Sequence, residues 1–314
     1  MANQRAFRRG REDGRVAGPD GNQEEAMTAV VNDGVRHAVE VRFLGDFSLF
    51  IKGSPVERWR AGKARNLFQY LALRLGQTLT KDRLYEALWP DSPWPAGRSS
   101  LKVAVHALRR VVGAHPDHPG DSGIQLVSRD FGYALQIADL WADVDEFEEL
   151  VYAGLRVSGE DGEVARARLR AALELYRGDF LQGETADWIV EQREYLKSLA
   201  LRALAALRAD AMGRQGFADL IDICRRTLEI DRHHEESYRA LMAAHGSRGE
   251  LGCVRSWYEL CARRLRTELA VEPARETERL LHSLLSRAEA PASPDGPSMV
   301  RPRPHLSLPA TIAS

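Results

Sequence analysis

TKDRLYEALWPDSPWPAGRSSLKVAVHALRRVV, residues 80–112, reads as two helices joined by a proline-rich elbow. Thr80 is a suitable N-cap for the first, KDRLYEALW, in which Leu84, Ala87 and Leu88 face inward; Trp89-Pro90 closes it, with Trp89 read as a core anchor. Pro95 lies near the start of the second helix, where a proline costs little because first-turn amides have no intrahelical acceptor. Stepping about 100° per residue puts Leu101, Ala104, Val105, Leu108, Val111 and Val112 on the side to be buried. Arg98, Ser99, Lys102, His106, Arg109 and Arg110 fall on the opposite arc with Val103 beside them, and no acidic residue interrupts it. A row of Arg and Lys suits phosphate neutralisation, and Ser, His, Arg and an apolar Val are types that meet base edges and the thymine methyl. The competing reading, a merely solvated basic face, has to be weighed against what surrounds the helix.

At 314 residues the chain can hold two or three domains with their own cores, and 44% hydrophobic with 28% charged residues is an ordinary balance for a soluble protein. The formal net charge of −1 hides an uneven distribution. Residues 39–139 carry 14 Lys and Arg against 10 Asp and Glu, about +4, whereas residues 140–289 carry 22 against 28, about −6. That polarity points the front half at a polyanion. Cys224, Cys253 and Cys261 are odd in number, with no CxxC and no paired His at ligand spacing. They read as small apolar helix residues in a reducing cytoplasm, with no metal and no cofactor expected. No apolar run approaches the roughly 18 residues of a membrane span. The arginines near the amino terminus have no apolar h-region after them, so no secretory signal is expected.

Residues 1–38 are polar and charged, with six basic and six acidic residues, and predict a disordered tail. From Val39 the pattern turns to strand-like alternation: Val39, Val41 and Phe43 share one face, and Phe47, Leu49 and Ile51 resume it after Gly45. With turn signals at Gly45-Asp46 and Gly53-Ser54-Pro55, two or three short antiparallel strands are expected. Residues 61–75 read as a helix with Leu67, Phe68, Leu71 and Leu75 at core spacing, ended by Gly76, and residues 77–79 as a brief strand. After the basic helix, GAHPDHPGDSG is a loop and IQLVSRDFGYALQI two strands around an Arg129-Asp130 turn. Strands, three helices and a terminal hairpin, in that order, make a winged helix-turn-helix whose hairpin lies beside the groove that the third helix enters.

The string from FLGDFSLFIKGSPV through LYEALWPD, SSLKVAVHALRRVVG and FGYAL resembles the winged-helix domain of the OmpR type. The resemblance implies that the third helix lies in the major groove of double-stranded DNA and that the wing is the hairpin around Arg129. It also implies that the elbow holding Asp91, Ser92, Trp94 and Ala96 faces RNA polymerase, through its alpha or sigma subunit.

Residues 140–288 read as helical throughout, with Asp143 the N-cap of DVDEFEELVYAG. Leu220, Cys224 and Leu228 recur 34 residues later as Val254, Tyr258 and Ala262, the period of tetratricopeptide (TPR) helix pairs, each of which buries its apolar face by stacking on the next. AALELYRGDFL, ADWIVEQREYLKSLALRAL, ICRRTLEIDRHHEESYRALM and SWYELCARRLRTELAVEPARET resemble, in order and spacing, the bacterial transcriptional activator domain. That domain follows an OmpR-like winged helix in the Streptomyces antibiotic regulatory protein (SARP) family. Two departures concern local packing: Ala270 stands where relatives have Gly, and Leu251 to Val254 lacks their small alanine. Residues 289–314 are rich in Pro, Ser and Ala and predict a second disordered tail. Larger members of the family continue into an ATPase domain, and no GxxxxGK[ST] phosphate loop occurs in this sequence.

The remaining polar constellations have plainer readings. His233-His234 beside Asp231 sits where a repeat turn belongs, and Asp187, Glu191 and Glu194 are solvent-facing residues of a charged helix. No nucleophile elbow or metal spacing appears, so no enzyme is expected. The fold expected is an α+β winged helix over residues 39–139 followed by an all-α TPR-like domain over residues 140–288. The function expected is that of a cytoplasmic, nucleoid-associated regulator of transcription, an activator, homodimeric at least on DNA and without membrane contact. Its DNA-binding residues would be Arg98, Ser99, Lys102, Val103, His106, Arg109, Arg110 and Arg129. The alternative is a TPR-like interaction adaptor whose winged helix has lost DNA binding.

Overall fold

The computed structural model describes residues 37–59, 62–90, 98–113 and 122–289, with residues 98, 99 and 287–289 described for the backbone alone. The chain divides into two compact units, residues 1–200 and 201–314. The expected tails fall almost wholly outside the described residues. His37 and Ala38 are described, and both are bonded to the Asp139 carboxylate, through the His37 ring at 2.6 Å and the Ala38 amide at 2.7 Å.

In the first unit β1 (Val39–Arg42), β2 (Ser48–Ile51) and β3 (Ser54–Pro55) form the antiparallel strands that the alternation predicts. Val39, Val41, Leu49 and Ile51 are fully buried because every second side chain points at the helices. The helices are α1 (Gly62–Ala72), α2 (Lys81–Leu88) and α3 (Arg98–Gly113). Between α1 and α2 lies β4 (Leu79–Thr80), which joins β6 (Gly132–Ile137) and β5 (Ile124–Arg129) in a second sheet of order β4-β6-β5. Thr80 caps α2 as expected, its hydroxyl accepting from the Arg83 amide at 3.2 Å. An aromatic run joins the first sheet to α1: Phe43, Phe47, Trp59 and Phe68 follow one another with ring centroids 5.7 to 5.8 Å apart.

Several expectations are corrected. Helix α1 ends at Ala72, so Leu75 lies in the turn before Gly76 (φ +77) and is half-buried. Trp89 is also half-buried. It stacks on Tyr85 at 5.3 Å and lies under the Lys63 ammonium at 5.8 Å, so it closes the helix from the rim of the core. Residues 140–288 are not helical throughout: β7 (Leu140–Ala142) pairs in parallel with β1 at the edge of the first sheet, giving the order β3-β2-β1-β7. Asp143 does not cap its own helix either. It is the first residue of α4 (Asp143–Val157), with Ala142 at the cap position. Its carboxylate oxygens accept from the backbone amides of Phe43 at 2.8 Å and Leu44 at 2.9 Å, a hundred residues back.

That contact joins the front sheet to the helices that follow. The backbone of residues 43–45 also bonds, on its other edge, to the segment after α5 (Gly162–Leu175): Leu181 N donates to Phe43 O at 2.8 Å and Gly45 N to Asp179 O at 3.0 Å. Phe43 and Phe180 stack at 5.8 Å. Gly45 (φ +93) takes a conformation that side chains resist, and a Cβ on Gly178 would sit 3.2 Å from its Cα. Leu181, itself at φ 47, is held by the Arg193 guanidinium, which donates to the carbonyls of Phe180, Leu181 and Glu184 at 2.8 to 3.0 Å. Arg193 lies on α6 (Asp187–Gly213), whose Trp188 packs edge-on against Tyr70 of α1 at 5.1 Å.

The second unit takes the end of α6 and adds α7 (Phe217–Ile230), α8 (Glu235–Ser247), α9 (Leu251–Arg264) and α10 (Arg275–Glu289). The 34-residue correspondence holds in burial for Leu220, Cys224 and Leu228 and for Val254 and Ala262, while Tyr258 is half-buried. Cys224 and Cys261 are buried as expected; Cys253 is exposed. Helix α9 runs into a π turn, Leu265–Leu269, which ends at Ala270 in the left-handed conformation (φ 56, ψ 34). The glycine that the resemblance leads one to expect is thus missing where the backbone favours one.

Two outcomes are expected. Burial pushes the Asp143 carboxyl up to about 6 from an ordinary 3.8, against the pull of the two amides, the Val144 amide and Arg177. With the folded value raised, its contribution to stability is full below about 3.8 and falls as pH rises through about 6. Asp143→Ala should cost about 2 kcal/mol or more by stranding two buried amides. In urea unfolding the loss should be larger at pH 4.5 than at pH 7; an equal loss at both would refute the assignment. Ala270→Gly should stabilise the chain by about 1 kcal/mol, read as a higher unfolding midpoint, because the left-handed penalty exceeds the entropy that glycine adds to the unfolded chain.

Candidate nucleic-acid interface

Helix α3 is amphipathic because its apolar residues recur at three and four. Leu101, Ala104, Val105, Leu108 and Val112 are buried, and Val111 is half-buried at the margin. The same rotation leaves Lys102, Val103, His106, Arg109 and Arg110 exposed on the other side. Val103 is 61% exposed, an apolar residue set among cations. The helix contains no carboxylate, and Arg110 in its last turn complements the negative end of the helix dipole. The side chains of Arg98 and Ser99, and the elbow residues Asp91, Ser92, Trp94 and Ala96, lie outside the described residues.

The hairpin beside α3 is set by close packing. A Cβ on Gly132 would come within 1.8 Å of the Leu79 carbonyl oxygen, so only glycine lets β6 approach β4. Lys81 N donates to Phe131 O at 3.0 Å, tying the hairpin tip to the start of α2. Arg129 and Asp130 are exposed at that tip. The Arg109 guanidinium donates to the Ser128 hydroxyl at 2.8 Å and, at longer range, to Leu126 O at 3.4 Å. Arg109 therefore braces α3 against the hairpin while remaining exposed, so helix and hairpin present a common edge.

Reading the sequence overlooks two residues here. Phe131 projects from the hairpin tip and is 79% exposed, beside Arg129. Its position directly after Arg129-Asp130 marks it as a turn residue and not a strand residue, and an aromatic in a turn is the signal that was available. Gly132 carries no side chain and is informative only once β4 is known to lie against it.

The histidine pair is accounted for by packing. His234 is the N-cap of α8, its Nδ1 accepting from the Ser237 amide at 3.3 Å, and burial followed by the nearby Arg208 charge holds its pKa below the ordinary value. His233 Nε2 lies 3.0 Å from a Glu268 carboxylate oxygen, linking this turn to the π turn after α9. Asp187, Glu191 and Glu194 are exposed along α6. Among the described residues no helix is long and apolar enough to cross a membrane.

Residues 142–285 match the family described as Bacterial transcriptional activator domain, and residues 59–135 match Transcriptional regulatory protein, C terminal. Regulatory protein DnrI of Streptomyces peucetius is 28% identical over 267 residues, a span of 83% of this chain and 97% of that protein. Transcriptional regulator RedD of Streptomyces coelicolor is 30% identical over 278 residues, 86% of this chain and 75% of that one. The solved structure of Mycobacterium tuberculosis EmbR in complex with low affinity phosphopeptide superposes with a TM-score of 0.61 at 20% identity, covering 80% of this chain and 66% of that one, a likeness of fold. The two domain matches follow one another as the winged helix and the helical repeats do, and the chain belongs to the SARP family of transcriptional regulators.

Proposed function

We propose that this regulator activates transcription by placing α3 in the major groove of promoter DNA, with the β5-β6 hairpin lying along the adjacent backbone. The single observation that carries the reading is the outward face of α3, where Lys102, Val103, His106, Arg109 and Arg110 are exposed on a helix without a carboxylate. In this reading Lys102 and Arg110 neutralise phosphates, His106 and Val103 meet base edges, and Arg109 fixes the hairpin through Ser128 while reaching the backbone. Arg129 extends the phosphate contacts from the hairpin, Phe131 packs against the sugar edge beside it, and Arg98 and Ser99 contribute from the start of the helix. The winged helix is assigned to residues 39–139 and the activator domain to residues 140–288, with tails at 1–38 and 289–314.

The elbow with Asp91, Ser92, Trp94 and Ala96 is proposed to face the alpha or sigma subunit of RNA polymerase. Two protomers on neighbouring sites would bind as a homodimer, since linking two weak modules raises effective concentration without new base contacts. The chain is read as a cytoplasmic, nucleoid-associated protein and not as an enzyme, because the histidines and carboxylates weighed as catalytic groups are engaged in caps and ion pairs or are solvated.

Selection of bound duplexes from a random pool, followed by anisotropy titrations at several salt concentrations, tests the assignment. Lys102→Ala should weaken binding to all duplexes alike and lower the slope of log K against log salt by about 0.9. His106→Ala should leave the slope nearly unchanged and relax preference at one base pair, worth about 1–3 kcal/mol of discrimination. A full chain that binds no duplex at any salt concentration would overturn the reading in favour of the adaptor.

A further inference from the structure

The α8–α9 connection gathers His245, Glu250 and Cys253 into the one group of three or more His, Cys, Asp or Glu side chains, among the described residues, whose potential ligand atoms all lie within 4.8 Å of one another. His245 is in the last turn of α8, Glu250 is the residue before α9, and Cys253 is in the first turn of α9. The turn that joins them is fixed by its own backbone: Glu250 N donates to His245 O at 3.0 Å, Gly249 N to Gly246 O at 3.1 Å, and Gly249 takes φ +71. The sequence hid the set because the ligands are of three types, spaced by five and three residues across a helix break. It matches neither CxxC nor a paired-histidine pattern.

We propose that His245, Glu250 and Cys253 form a three-ligand binding site for a borderline transition cation of the zinc class. Imidazole nitrogen, carboxylate oxygen and thiolate sulfur are the donors such a cation takes, at about 2.0 to 2.3 Å in tetrahedral array. Donors at those distances stand roughly 3.5 Å apart. The present 2.6 Å between His245 Nδ1 and Glu250 Oε2 therefore opens by about 1 Å as the cation replaces their hydrogen bond. Cys253 is exposed, so its sulfur can be reached from solvent.

The supporting groups are those that orient ligands in metal sites. Arg248 Nε donates to Glu250 Oε1 at 2.9 Å, which leaves Oε2 for the cation and makes the carboxylate monodentate. The Arg248 guanidinium lies over the Phe217 ring at 4.3 Å, and the His245 ring meets the same phenyl edge-on at 5.6 Å. Occupancy would tie the end of α8 to the start of α9, so binding and the stability of that helix pair are linked.

The test uses the full chain, stripped with a chelator and free of DNA, titrated first with Co²⁺ as a spectroscopic probe and then with Zn²⁺ against a chromophoric chelator. The wild-type chain should give a thiolate-to-cobalt charge-transfer band that saturates at one equivalent. Cys253→Ser, at an exposed position, should fold normally, lose the band and bind Zn²⁺ at least tenfold more weakly. His245→Gln should weaken Zn²⁺ binding at least tenfold, with circular dichroism checking the fold. Zn²⁺ should raise the unfolding midpoint of the wild-type chain and not that of Cys253→Ser. No cobalt band in the wild-type chain, a band that persists in Cys253→Ser, or equal Zn²⁺ affinities would overturn the proposal.

Discussion

The carboxylate of Asp143, accepting from the amides of Phe43 and Leu44, is the constraint on which the first unit depends. The backbone that leaves β1 at this point runs between α4 and the 179–182 segment, where water cannot satisfy its polar groups. A buried amide without an acceptor costs about 1–3 kcal/mol, so the two amides must be met from within the protein. Asp143 meets one edge of the strand exit and the Asp179 and Leu181 backbone meets the other. The winged helix consequently closes its sheet with β7, a strand that ends where the span matching the activator domain begins, and shares one compact unit with α4 and α5.

The edge proposed to meet DNA depends on a different kind of fit. Helix α3 gains its outward cations from periodicity, but their usefulness depends on where the hairpin stands. That is set by the absence of a side chain at Gly132 and by the reach of Arg109 to Ser128. An exposed hydrogen bond of this sort adds little to stability, and its value lies in the relative placement of two contact surfaces. Like charges gathered on one face repel one another over a screening length of about 8 Å at physiological salt, a repulsion that a bound polyanion would relieve.

Much of this was legible in the residues. The buried and exposed arcs of α3 follow from period 3.6, and Thr80 announces the start of α2 through a local hydroxyl-to-amide bond. Ala270 shows through a departure from the family's glycine, at the position where the backbone turns left-handed. What was illegible depends on partners distant in the chain. Strand β7 is three residues long and pairs with residues a hundred positions earlier, so no local alternation betrays it. Asp143 imitates an N-cap in sequence, since a carboxylate before an apolar run serves either purpose. The exposure of Phe131 and the convergence of His245, Glu250 and Cys253 are likewise products of turns whose geometry the residue types do not dictate.

The shared sheet bears on how such regulators can be recombined. A chimaera that exchanges DNA-reading heads between relatives at residue 139 would keep β1 while discarding its parallel neighbour, the Asp143 carboxylate and the Arg193 clamp on the 180–184 loop. The transplanted head would then depend on the recipient's own strand and carboxylate, and a misfit there would leave a sheet edge open and amides unmatched, inviting aggregation before any promoter is met. A seam placed beyond Arg193 carries the whole joint with it, so the transferable head counted from Val39 is at least 155 residues long, about half as long again as the 101 residues of the winged helix alone.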